Sequence, residues 1–102
     1  NVIVLPPDYE VDPHYHETQE ELYLCLEGEL TLRFGDGSEH KLYPFDMARV
    51  DAGTHRQIAN TDGEGCTIFC AGGHDGYVGR DGAQPDTFPG WEKIGVDNSS
   101  TP

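Results

Sequence analysis

The sequence predicts an all-β chain folded as one jelly-roll barrel, with an irregular tail at its C-terminal end. No segment of the 102 residues places apolar side chains at helical spacing. Short runs rich in β-branched and aromatic residues recur instead. Turn residues separate them every 8 to 12 positions, the rhythm of a sandwich or barrel. Leu30, Leu32 and Phe34 alternate with Thr31 and Arg33, the period of a half-buried strand. So many short strands leave many edges, and a double-sheet jelly roll covers them.

Each element follows from local chemistry. Residues 1–5 are a β-branched run that Pro6-Pro7 stops, because proline lacks the N–H a ladder needs. Residues 9–16 are extended but interrupted at Asp12-Pro13. Residues 20–27 are the clearest strand, and Gly28 permits a sharp turn after it. Residues 30–34 follow, then Gly35-Asp36-Gly37-Ser38 as a hairpin turn and residues 39–43 as the return strand. Pro44-Phe45-Asp46 turns the chain again. Residues 47–50, 56–59 and 66–71 complete the set, joined by Gly-containing turns at 51–54 and 62–65. The barrel is therefore expected over residues 1–71. Residues 72–102 are expected to form an irregular segment over the barrel or a partner, with Tyr77, Phe88 and Trp91 as anchors and the last residues disordered.

Strand 20–27 presents apolar residues on both faces: Tyr23 and Cys25 on one, Leu22, Leu24 and Leu26 on the other. One face can look into the barrel. The other needs cover, and a homodimer is the expectation.

Composition excludes several partners. The formal net charge is −13, with Lys41 and Lys93 the only lysines. A nucleic-acid binder needs a basic footprint, and an anionic membrane surface would repel this chain. No apolar run is long enough to span a bilayer, and no secretory leader is visible. Scattered acids with so few lysines also resemble the surface of a protein from a high-salt cytoplasm. Cys25, Cys66 and Cys70 form no dense framework. Cys66 and Cys70 would lie ~13 Å apart on one strand, too far to bridge. A reducing compartment, the cytoplasm, is the expected location.

The chemistry lies at His14-Tyr15-His16 and Glu21. Side chains at i and i+2 of a strand point the same way, with Cα atoms ~6.6 Å apart. Two imidazoles can therefore close on one ion, and a carboxylate from the next strand adds charge neutralisation. Such a set suits Fe, Mn, Ni or Zn and leaves coordination positions open for a ligand. His55 is the histidine best placed to add a fourth donor. His40 and His74 read as solvent-exposed. A pair of surface histidines beside a proline is the plain alternative.

Residues 11–60 resemble the two-motif barrel of the cupin family. His14-x-His16, four residues, Glu21, six residues, Gly28 is similar to the first cupin motif, without its leading glycine. Asp51-Ala52-Gly53-Thr54-His55-Arg56-Gln57-Ile58-Ala59-Asn60 aligns with the second without a gap. Asp51 then stands for the usual proline, and Phe45-Asp46 for the usual Gly-Asp. Arg56, not His55, falls where the family's histidine ligand sits. Either a bulge turns His55 inward, or the site lacks its third histidine and Arg56 faces the pocket. An inward Arg56 would bind an anionic ligand, or pair with Glu21 and displace the metal.

The resemblance implies a double-stranded β-helix and a metal-dependent small-molecule enzyme of dioxygenase, isomerase or decarboxylase type. The metal residues would be His14, His16, Glu21 and His55, with Tyr23, Arg56 and Gln57 lining the pocket. A non-catalytic small-molecule binder or sensor with an incomplete metal site is the alternative, and a dimerising scaffold a third. No nucleophile elbow or phosphate-cradling loop competes with these readings.

Overall fold

The computed structural model describes residues 1–73 and 82–92. Strands β1 (Val2–Leu5), β2 (Tyr9–Glu10), β3 (Tyr15–His16), β4 (Glu20–Glu27), β5 (Leu30–Phe34), β6 (Glu39–Leu42), β7 (Met47–Val50), β8 (Arg56–Asn60) and β9 (Cys66–Gly73) make the barrel. They follow the segments expected from the sequence, with 9–16 divided into β2 and β3, β1 and β6 each one residue shorter, β8 one residue longer and β9 two residues longer. No helix occurs among the described residues.

Two four-stranded antiparallel sheets face each other, in the orders β1-β9-β4-β7 and β2-β8-β5-β6. The inner faces supply the core. Leu5, Tyr23, Cys25, Val50, Cys66 and Ile68 come from the first sheet, and Leu30, Leu32, Leu42 and Ile58 from the second. This is the alternation that period-2 patterning dictates for strands with one buried face.

Two turns pack against β4, one at its exit and one between β6 and β7. Gly28 has φ +82°, and a Cβ there would come within 2.5 Å of the Gly65 carbonyl oxygen. The position needs glycine both for its backbone angle and for the close approach of a neighbouring chain. The β4–β9 register also slips between Cys25 and Glu27, as a β-bulge requires. Phe45 has φ +72°, a left-handed conformation that L residues seldom adopt. Its amide donates to the Cys25 carbonyl at 2.7 Å, and Asp46 Oδ2 accepts from the Tyr43 amide at 2.9 Å. The turn's hydrogen bonds thus hold a bulky residue where glycine would rest without strain.

Three two-residue strands occur where the sequence suggested only irregular chain. β10 (Gly82–Ala83) pairs with β3, and β11 (Thr87–Phe88) pairs with β12 (Trp91–Glu92). Phe88 is buried and Trp91 half-buried, consistent with their reading as anchors. Tyr77, His74 and the C-terminal end fall outside the described residues.

Candidate metal centre

The segment carrying His14 and His16 is pinned on both sides. The His14 amide donates to the Arg56 carbonyl at 2.9 Å, and the Arg56 amide to the His14 carbonyl at 3.0 Å. The Gly53 amide donates to the His16 carbonyl at 2.7 Å. This antiparallel bridge sets residues 14 and 56 directly opposite each other. Opposed residues of a ladder share a face, and their neighbours share the other. His14, His16 and Arg56 therefore face inward. Tyr15 and His55 face outward, their rings stacked with centroids 4.7 Å apart.

Glu21 reaches the same place from β4. Its Oε1 lies 3.6 Å from His14 Nε2 and 3.5 Å from His16 Nε2. One donor atom from each of His14, His16 and Glu21 falls within 4.8 Å of the others. The two imidazoles meet edge to face at 5.2 Å. Two ring nitrogens and one carboxylate oxygen, converging from separate segments, form a donor set that fits a divalent transition metal. His55 is not in this group. Strand alternation puts it on the opposite side from His14 and His16, where its ring stacks on Tyr15.

Arg56 stands in its stead. It is completely buried. Its Nη2 donates to Glu21 Oε1 at 2.9 Å, its Nε to the Tyr23 hydroxyl at 3.3 Å, and its Nη1 to the Thr54 carbonyl at 2.8 Å. The Tyr23 hydroxyl also donates to Glu21 Oε1. Burial pushes the Glu21 carboxyl up. Hydrogen bonds from His14, Tyr23 and Arg56, together with the guanidinium charge, outweigh that and hold it at about 2. The Tyr23 phenol moves the other way, raised by burial and by the adjacent carboxylate.

The remaining expected pocket residue lies elsewhere. Gln57 follows Arg56 on β8 and so takes the opposite face. It is buried there and accepts from Arg33 Nη1 at 3.3 Å. His40 is exposed, as expected, and packs edge-on against Phe34.

A cavity of about 410 Å³ opens beside the centre, lined by His16, Gln19, Glu21, Cys70 and Gly72 among others. Sequence reasoning missed Gln19 and Gly72. Gln19 is buried, its Nε2 3.5 Å from His16 Nδ1. A Cβ at Gly72 would stand 3.0 Å from Gln19 Oε1, so glycine leaves room for that amide. No local pattern in the sequence marks them: Gly72 reaches the site only because it pairs with Glu21 across the sheet.

A family model described as "Cupin domain" matches residues 1–72. The chain belongs to the cupin family. No curated protein gives a significant match. Among solved structures, this cupin is similar to a sugar phosphate isomerase from the cupin superfamily of Silicibacter pomeroyi, with 30% identity and a TM-score of 0.65 over 72% of this chain and 48% of that one. It is also similar to a predicted oxalate decarboxylase from Thermotoga maritima, with 28% identity and a TM-score of 0.62 over 68% of this chain and 59% of that one. A double-stranded β-helix protein from Klebsiella pneumoniae shares the fold at 22% identity and a TM-score of 0.69, over 80% and 69% of the two chains. This cupin thus spans about half to two-thirds of the first structures it matches.

Proposed function

We propose that this cupin acts on a small molecule bound in the cavity beside Glu21, with a divalent transition metal held by His14, His16 and Glu21. The convergence of those three donors carries the reading. Fe, Mn, Ni and Zn all suit two imidazoles and a carboxylate. A metal bound there would polarise an oxygen of the ligand as a Lewis acid. Dioxygenase or isomerase chemistry is the proposed class, and the similarity to a sugar phosphate isomerase supports it. Tyr23 and Arg56 keep the Glu21 carboxylate ionised and aimed at the imidazoles. Gln19 orients His16 from behind, through the nitrogen that faces away from Glu21.

Elemental analysis of protein purified without an affinity tag, beside His14→Ala, tests this. Metal at near one equivalent in wild type and its loss in the variant are expected. Metal-free wild type that also takes up none on addition of Mn²⁺, Fe²⁺, Ni²⁺ or Zn²⁺ would remove the reading.

The Arg56–Glu21 pair favours a second reading, a non-catalytic binder or sensor with an incomplete metal site. Ligand-induced thermal shifts without turnover would distinguish it from an enzyme.

A second copy of the chain is the proposed partner. Val2, Phe69, Leu24 and Met47 pair in register across all four strands of the first sheet. They share its outer face, where Val2 is 63% exposed and Met47 62%. In so acidic a chain, this uncharged row is where a like-charged copy can approach. Net charge argues against nucleic acid and anionic membrane as partners. No helix among the described residues is long and apolar enough to cross a membrane. Three free, buried cysteines suit a reducing compartment such as the cytoplasm.

A further inference from the structure

We propose that Arg56 is an internal competitor for the metal, so that a divalent ion binds only by displacing the guanidinium from Glu21. The inference rests on the metal reading above and specifies what limits it. Both imidazole Nε2 atoms approach one carboxylate oxygen, Oε1, at 3.6 and 3.5 Å. That same oxygen accepts from Arg56 Nη2 at 2.9 Å and from the Tyr23 hydroxyl. The oxygen placed to serve as a ligand is therefore already engaged by a fixed cation. Displaced from Glu21, Arg56 would stay in the pocket rather than reach water, because it is fully enclosed and bonded at two further points, the Thr54 carbonyl and the Tyr23 oxygen. A metal seated on His14, His16 and Glu21 would stand beside a permanent positive charge within a partly buried pocket. Like charges at such separations repel strongly when water screens them poorly.

The arrangement also fixes selectivity. Only an ion that gains much from two imidazoles can offset the loss of the Arg56–Glu21 contact. Zn²⁺, Ni²⁺ and Cu²⁺ gain most from nitrogen donors, and Mg²⁺ and Ca²⁺ least. The site should accept the former weakly and reject the latter.

Calorimetric titration of the full chain with Zn²⁺, Mn²⁺ and Mg²⁺ tests this, for wild type, Arg56→Met, Arg56→His and His14→Ala. Arg56→Met and Arg56→His are expected to bind Zn²⁺ at least about tenfold more tightly than wild type. His14→Ala is expected to bind more weakly than wild type. Equal or weaker Zn²⁺ binding in the Arg56 variants, with His14→Ala still impaired, overturns the competitor role and leaves the metal site standing. No Zn²⁺ binding in any of the four proteins removes both.

A measurement on wild type alone covers the case in which the variants fail to fold. The Arg56 Nε–H, buried and bonded to Tyr23, is expected to give a protected nitrogen–proton resonance. Excess Zn²⁺ is expected to shift or broaden it, and an unmoved resonance at full His14 and His16 occupancy overturns the proposal.

Discussion

Arg56 and Glu21 form a charge pair in which the guanidinium has no access to solvent and the carboxylate is largely enclosed beside two imidazoles. Removing one side of such a pair strands the other, at a cost of roughly 3 kcal/mol, whereas removing both leaves no orphan charge. Glu21→Gln and Arg56→Met are each expected to lower stability by about that amount in metal-free buffer. The double variant should lose far less than the sum, with a coupling of roughly 2 kcal/mol by denaturant unfolding. Strict additivity would mean that the pair holds little of the fold together. At this scale the sequence was legible for His14, His16 and Glu21, because a period of two fixes which side chains share a face. The choice between His55 and Arg56 was not legible. It turns on the pairing of residue 56 with residue 14, a contact between segments that no local pattern encodes. Gln57 was misassigned to the pocket for the same reason, since one step of register sends a side chain to the other face.

The strands of the barrel were legible because each is bounded by residues with a mechanical role. Gly28 is the sharpest case. Gly28→Ala would combine a strained φ with a backbone clash that no rotamer relieves. A loss of roughly 3 kcal/mol is expected, read as a lower unfolding midpoint at unchanged m-value. Gly37, at a similar φ but with open space around it, should lose clearly less when changed to Ala. Equal losses at the two sites would show that conformation alone, not the approach of Gly65, sets the requirement. The two-residue strands β10, β11 and β12 escaped sequence reading because two residues contain no period. Their partners, not their composition, make them strands. Asn60 shows a different kind of element signal. Its side-chain amide donates to the Leu5 and Pro6 carbonyls, and its oxygen accepts from the Asp62 amide. One buried side chain thereby ties the end of β1 to the turn after β8.

For the whole molecule, the outer face of the first sheet is where the proposed dimer would form. A two-sheet barrel of this length has a small core, and burying a second apolar face adds to it. Light scattering at micromolar concentration is expected to give the mass of a dimer. Met47→Lys, which sets a charge at the end of the apolar row, should yield monomer without loss of the barrel's spectroscopic signature. A monomeric wild type would leave the row without its proposed partner. The acidic surface bears on the same scale. If it is adapted to concentrated salt, thermal stability rises along a salt series, and a maximum in dilute buffer counts against that origin. The expectation of a dimer comes from the two apolar faces of β4, whereas the row itself emerges only when four strands lie in register.

The three cysteines point inward from β4 and β9, and burial raises each thiol above its ordinary range, Cys66 to about 11. A thiol reacts with alkylating reagents as the thiolate. The molecule therefore carries its own opening clock. Carboxymethylation of Cys25 and Cys66, which have no access to solvent, counts only events that part the two sheets, while Cys70, on the cavity wall, also records the smaller breathing of the pocket mouth.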